Sequence, residues 1–388
     1  MKKVLRIVNR FNLGGPTFNA AYLTKYLSPE FETLLIGGEK TQSEESSEFI
    51  LQQLNVNYRK IKAMSREISL LNDYKAYKEI KQIIKEFKPD IVHTHASKAG
   101  LLGRLAAKHS GVEIIIHTFH GHVFHSYFGK FKTNIFKILE RYLALKSNKI
   151  IAISNKQKQE LSIEHKIASE NKFIVIPLGF DLTKFTNITT EQRNNFRKKY
   201  NISDNDFVIS IVGRLVPIKN HKLFIDSIKQ LKQKTNKSIR TFIVGGGELY
   251  EELINYTKYI GLSVSKGTNI SDINFTSWQK ETELIYAGSD IVALSSLNEG
   301  TPVSLIEAQA CGKPVVSTKV GGVEDIVTDK KTAILCANTV NDFANALNKI
   351  IENYNQYKKN SMENINIISQ KYSYNRLVND IKNLYNEL

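Results

Sequence analysis

Two glutamates stand eight positions apart in LNEGTPVSLIEAQACGKPVVS (297–317): Glu299 and Glu307, with Gly300, Thr301, Pro302 and Ser304 between them. Two carboxylates at one site can act as acid and base on a bond, or they can hold the hydroxyl groups of a ligand. DIVALSS (290–296) reads as a strand and NEG follows its carboxyl end. Thr301 is then a candidate N-cap, Pro302 suits the first helical position, and VSLIEAQA continues the helix. The N–H groups of Val303 and Ser304 would point outward at a positive helix end, where an anion fits. Helical side chains lean toward the N-terminus, which brings Glu307 to the rim of that place. A carboxylate beside a phosphate suits ribose or sugar hydroxyls. The plain alternative is a strand–turn–helix whose glutamates face solvent.

Other constellations carry related chemistry. In SIVGRLVPIKNH (210–221), Gly213 ends a strand, and Arg214 and Lys219 can both reach back over its end. A guanidinium fork and an ammonium point charge there could clamp a diphosphate, or simply be two solvated charges. NRFNLGGPTFNAAYL (9–23) is strand, Gly-Gly turn and helix, without the GxGxxG of a dinucleotide fold. Gly245, Gly246 and Gly247 form a similar turn, expected to be structural. HTFHGHVFH (117–125) holds His117, His120, His122 and His125, but its spacing is not HExxH and it lacks an acidic ligand, which argues against zinc. A single histidine at the strand end, His120, is better placed to touch a substrate. His93 and His95 are expected to be packed or capping groups. Asp204-Asn205-Asp206 looks like a metal-binding DxD, but its place before a strand reads as a turn. GxSxG and P-loop patterns are absent from the sequence.

The elements that must position these residues alternate. VLRIV (4–8), TLLIGG (33–38), DIVHTH (90–95), EIIIHTFH (113–120), KIIAIS (149–154) and FIVIPLG (173–179) read as strands. Helical patterns such as 72–88 and 97–110 lie between them. Near-continuous apolar strands alternating with helices mean a parallel sheet covered on both faces. After a polar stretch at 181–205 the alternation restarts with FVISIVG, RTFIVGGG, INFTS, DIVALSS and PVVST. The expected organisation is two doubly wound α/β domains, 1–180 and 186–370, the first completed by an amphipathic helix at 371–388. Ligands of such sheets bind beyond the carboxyl ends of the strands.

Bulk composition narrows the classes. A chain of 388 residues suits two domains. Its formal charge of +16 suits an anionic partner such as a nucleotide, nucleic acid or acidic membrane surface, although a lysine-rich genome gives the same excess. Two cysteines exclude a disulfide framework and fit a reducing cytosol. The N-terminal apolar stretch, broken by Arg6, Asn9 and Arg10, reads as a buried strand rather than a signal peptide, and no run is long enough to span a membrane. Lys130, Lys132, Lys137, Arg141, Lys146 and Lys149 interleave with Phe128, Phe131 and Phe136, against Glu140 alone. That pattern suits an anionic membrane surface. No nucleic-acid-binding motif accompanies it.

GRLVPIKNH, SLNEGTPVSLIEAQACGKPVVSTKVGGVEDIV, the Gly-Gly loop after the first strand, and SKAGLLGRLAA with HTFHGHVF together resemble the retaining GT-B glycosyltransferases of family 4, over about residues 4–385. The resemblance implies two Rossmann-like domains facing across a cleft, with a nucleotide-sugar donor held by the C-terminal domain and an acceptor by the N-terminal one. It implies that Arg214 and Lys219 bind the diphosphate, Glu307 the ribose and Glu299 the donor sugar. Gly15 would meet the phosphate through its backbone, His120 would contact the sugar, and backbone around Trp278 and Gln279 would hold the base. Many members carry glycine where this chain has Pro302, so one backbone donor is missing here, while Thr301, Val303 and Ser304 keep theirs. No cofactor and no metal is expected. The expected activity is transfer from a UDP-sugar to a saccharide or lipid-linked acceptor, in the cytoplasm or on the inner membrane face. GDP-mannose as donor, a UDP-sugar epimerase of the same fold, and a basic membrane- or nucleic-acid-binding protein are the alternatives.

Overall fold

A computed structural model describes residues 1–12, 14–40, 46–65, 67–121, 130–327 and 329–388. It forms two compact units: Met1–Phe180 with Tyr372–Leu388, and Asp181–Lys371. The Thr183–Thr186 turn of helix thus belongs to the second unit, a few residues before the boundary expected from composition.

The first unit is built on seven parallel strands: β1 (Lys3–Arg10), β2 (Glu32–Gly38), β3 (Tyr58–Ile61), β4 (Ile91–His95), β5 (Ile114–Phe119), β6 (Lys149–Ala152) and β7 (Phe173–Val175). Their spatial order is β3-β2-β1-β4-β5-β6-β7. Every residue of β4 and β5 is buried, as expected of strands covered on both faces. The chain runs one way from β1 to β3 and the other way from β4 to β7, so the sheet has a switch point between β1 and β4.

The second unit repeats the plan with β8 (Phe207–Val212), β9 (Ile239–Val244), β10 (Val264–Ser265), β11 (Ile273–Phe275), β12 (Ile291–Leu294), β13 (Val315–Thr318) and β14 (Ala333–Cys336). Their order is β10-β11-β9-β8-β12-β13-β14, with the switch point between β8 and β12. Asp206 precedes β8 in a turn: its N–H reaches Ser203 O at 3.0 Å, and its Oδ2 accepts from Ser203 N–H at 2.9 Å. Local hydrogen bonding of this kind is what an Asp-rich turn offers.

The C-terminal segment is not one helix from 371. The Ile365–Tyr372 helix ends and a new one, Tyr374–Glu387, starts behind Ser373, whose hydroxyl accepts from Arg376 N–H at 3.1 Å. An N-cap serine in extended conformation forces this break. The last helix buries Leu377, Ile381, Leu384 and Tyr385 against Val4, Ile91, Ile116 and Ile151 of the first sheet. Each such side chain contributes about 1.5–3 kcal/mol, which ties the end of the chain to the unit where it began.

Candidate active site

Arg214, Lys219 and Glu299 lie at the carboxyl ends of β8 and β12, the two strands that flank the switch point of the second sheet. That is where an open α/β sheet leaves a crevice. Lys219 closes a single turn at Pro217–Lys219, and its Nζ lies 2.5 Å from Glu299 Oε1. The same oxygen accepts from Ser296 Oγ at 2.5 Å. Oε2 of Glu299 takes no hydrogen bond among the described residues. The side chains are 21% and 9% exposed. Arg214 is exposed and makes no ion pair among the described residues.

The backbone around Glu299 is clamped from behind. Gly322 N–H donates to Glu299 O at 2.9 Å. Gly321 has φ +51, and a Cβ there would lie 2.0 Å from Glu299 O, so only glycine fits. Both glycines stand in STKVGGVEDIV, where sequence alone gives them no part.

The Val303–Ala310 helix begins one residue later than expected. Pro302 is its N-cap (φ −72, ψ 96), and no side chain caps it. Thr301 therefore does not cap, and Pro302 is not the first helical residue. The ψ of 96 at Pro302 lies outside the helical range, so the first helical residue is Val303. Leu305 N–H bonds back to Pro302 O at 3.1 Å. Val303 and Ser304 occupy the first helical positions, whose amides have no partner inside the helix.

Glu307 lies one turn into this helix, partly buried. Tyr286 OH, on the Thr282–Gly288 helix and fully buried, donates to Glu307 Oε2 at 2.8 Å. Burial pushes the Glu307 carboxyl up to about 7, against the pull of the Tyr286 hydrogen bond and Lys184. Lys184 pairs with Glu283 at 2.8 Å. Tyr286 went unnoticed in the sequence because it lies twenty-one residues from its partner in a short apolar helix.

Trp278 is 54% exposed, and its indole lies against Gly246, where a Cβ would meet Nε1 at 2.6 Å. Gln279 Nε2 donates to Thr276 O at 2.5 Å. The Gly245–Gly247 turn is structural, as expected. Gly245 has φ +141, and a Cβ there would sit 1.9 Å from Gly213 O.

In the first unit, Gly15 follows β1 at the switch point and opens the Gly15–Tyr26 helix. Pro16 has no N–H, and Thr17 N–H turns back to Gly14 O at 3.1 Å. In this first turn, that leaves the Gly15 amide without an intrahelical partner. Asn19 pins the turn, donating to Gly15 O at 3.0 Å and accepting from Gly179 N–H at 2.9 Å. His120 stands one residue beyond β5, and its Nε2 lies 2.8 Å from His95 Nδ1 at the end of β4. Burial holds His120 down to about 4. His93 is packed, between Tyr385 OH (2.6 Å) and Thr118 Oγ1 (2.7 Å). His117 is buried with Nδ1 2.8 Å from Thr94 Oγ1. His122 and His125 lie outside the described residues. Among the described residues, no three His, Cys, Asp or Glu side chains form a group that could hold a metal ion.

The Lys130–Leu145 helix carries the basic and aromatic pattern. Its exposed apolar face is Phe131, Ile135, Ile138, Tyr142 and Leu145, so Phe131 alone of the three expected phenylalanines is seen on it. Phe136 packs against the core beside Phe119 and Ala144, and Phe128 lies outside the described residues. Glu140 is turned inward to Arg104, 2.6 Å away. No helix among the described residues is long and apolar enough to cross a membrane.

Comparison with known proteins decides the family. Residues 14–184 match the profile of Glycosyltransferase Family 4, and 192–366 that of Glycosyl transferases group 1. The UDP-Gal:alpha-D-GlcNAc-diphosphoundecaprenol alpha-1,3-galactosyltransferase of Escherichia coli is 32% identical over 330 residues, 84% of this chain and 82% of its own. The chain belongs to glycosyltransferase family 4. This glycosyltransferase is also 28% identical to the capsular polysaccharide biosynthesis glycosyltransferase CapM of Staphylococcus aureus, over 70% of each chain. Its GT-B fold is that of the Anabaena HepE structure in complex with UDP, with a TM-score of 0.81 over the full length of both chains at 19% identity.

Proposed function

We propose that this glycosyltransferase moves a hexosyl group from a UDP-sugar to a saccharide or lipid-linked acceptor, with retention of anomeric configuration, in the synthesis of a bacterial surface polysaccharide or glycolipid. The observation that carries the reading is the Lys219–Glu299 pair at the switch point of the second sheet, beside the open amides of Val303 and Ser304. A diphosphate needs fixed positive charge, and Lys219, Arg214 and the helix end supply it without calling on a metal ion. As the bond from the anomeric carbon to phosphate oxygen breaks, the electron pair leaves on the diphosphate, where these groups stabilise it, while the acceptor hydroxyl oxygen bonds to the anomeric carbon on the same face and gives its proton to the departing diphosphate. Glu307 takes the ribose hydroxyls, Glu299 the sugar, and the backbone near Trp278 and Gln279 the base. The family resemblance assigns Gly15 N–H to the phosphate and His120 to the sugar.

The donor class draws support from the UDP-galactose in the name of the Escherichia coli relative, and from the UDP-glucose complex of HepE. The diphosphoundecaprenol in the relative's name supports a lipid-linked acceptor. The apolar stripe of the Lys130–Leu145 helix, with Lys146 and Arg141 beside it, then lies on the inner membrane face, where such a lipid is found.

A thermal-shift screen of UDP-, GDP- and ADP-sugars tests the donor: a UDP-sugar should raise the melting temperature most. Release of UDP should then require an acceptor. A rise with GDP-mannose alone would replace the donor, and turnover of UDP-sugar to an epimer without acceptor would replace the reaction.

A further inference from the structure

We infer that His95 is a positioning residue for His120, holding its ring so that one nitrogen meets the donor sugar. This rests on the reading that His120 contacts that sugar.

His95 and His120 stand at the ends of adjacent strands, β4 and β5, where His95 pairs in register with Thr118. Their Nδ1 and Nε2 atoms are 2.8 Å apart. His95 is 2% exposed and cannot move aside: its ring stacks on His93 with centroids 4.4 Å apart and an angle of 25°. His93 is itself fixed. Arg6 only donates, and its Nη2 reaches Tyr385 OH at 3.0 Å. His93 Nδ1 lies 2.6 Å from Tyr385 OH and His93 Nε2 2.7 Å from Thr118 Oγ1. That chain of contacts starts on β1 and passes through the last helix of the protein.

Two neutral imidazoles sharing one hydrogen bond leave one N–H and one lone pair at their outer nitrogens. Those nitrogens are His95 Nε2 and His120 Nδ1, both buried and without a hydrogen-bond partner among the described residues. Both rings line a small cavity whose other walls are Asn19, Thr118 and, for the rest, leucine and isoleucine side chains. A sugar hydroxyl donates and accepts, so it can satisfy either nitrogen in either tautomer. An unmade bond at a buried nitrogen is costly, so a ligand hydroxyl that makes it gains affinity and orientation.

The test uses the full-length enzyme with UDP-galactose (or UDP-glucose, where that is the sugar turned over) and a GlcNAc-diphospho-lipid acceptor. Phenylalanine at position 95 keeps the stack on His93 and removes the hydrogen bond. Asparagine places a polar atom where Nδ1 stood and can donate or accept. His95→Phe should lower kcat/KM by about tenfold or more, most of it in kcat, with the melting temperature held. His95→Asn should recover to within about threefold of wild type. Adding His95→Phe to His120→Ala should cost nothing further. His95→Leu replaces the phenylalanine variant should that one fail to fold. Wild-type rates in His95→Phe beside a crippled His120→Ala would overturn the inference and leave the His120 reading standing. Asparagine as poor as phenylalanine would also overturn it. Wild-type rates in His120→Ala would remove both.

Discussion

Lys219 Nζ and Glu299 Oε1 lie 2.5 Å apart across the switch point of the second sheet, one on the turn after β8 and the other on the loop after β12. In the proposed function a diphosphate competes with the Glu299 carboxylate for the Lys219 ammonium. The two residues that the proposal assigns to different parts of the donor, phosphate and sugar, are paired with each other.

Different losses follow for the two members of the pair. Lys219→Ala removes positive charge where the leaving group develops its own negative charge, and should lower kcat by about 10²–10³-fold. Glu299→Gln frees the ammonium, so UDP alone should bind as tightly as to wild type or more tightly, while transfer falls. Calorimetric titration with UDP, beside turnover measurements, separates the two. Weaker UDP binding in Glu299→Gln would contradict the competition. The pair is partly open to solvent, so neither change should unfold the protein.

Glu307 should make donor binding pH-dependent. Burial pushes its carboxyl from the ordinary 4.5 to about 7, and only the carboxylate accepts from both ribose hydroxyls. KM for the donor should rise as pH falls through about 7. Stability runs the other way. The folded state holds a proton that the unfolded chain has released, so the cost of the buried charge sets in above 4.5 and is complete above about 7. Glu307→Gln removes that cost. Its melting temperature should gain on wild type between about pH 5 and pH 8, while donor binding is weakened. A constant difference across that range would contradict the shifted carboxyl.

Tyr286→Phe deletes the hydrogen bond that favours the Glu307 carboxylate. The acid limb of the donor-binding profile should move to higher pH, and KM above the limb should rise only a few-fold, about what one hydrogen bond is worth. An unmoved limb would show that Tyr286 only packs.

Membrane contact should reside in the exposed stripe of the Lys130–Leu145 helix, where Phe131 is 79% and Leu145 77% exposed. The double change Ile138→Glu, Tyr142→Glu should abolish co-sedimentation with anionic vesicles at low salt and leave the melting temperature unchanged. Pelleting equal to wild type, or none in wild type itself, would rule out this face.

The sequence was legible wherever burial was complete. The central strands β1, β4, β5, β8 and β12 stand out as apolar runs because both faces are covered. Strands β3, β10 and β14 escaped notice, and all three lie at sheet edges, where a short strand needs no continuous apolar run. Motif residues such as Lys219, Glu299 and Glu307 were visible by spacing along one stretch of chain. Their supports were not. Tyr385 meets His93 across 292 residues, and Gly321 meets Glu299 only because two loops fold together. The start of the Val303 helix was misplaced by one residue because proline can serve as N-cap or as first residue, and sequence alone does not choose between them.

In the proposed function Lys219 and Glu307 hold two ends of one nucleotide-sugar. Calorimetric titration of UDP-galactose and UDP-glucose into the wild-type, Lys219→Ala and Glu307→Ala proteins tests it most directly. At least one of the two sugars should bind the wild type, and each substitution should weaken that binding by about tenfold or more with the melting temperature preserved. Equal affinity in all three proteins, or no binding of either sugar to the wild type, would contradict the account.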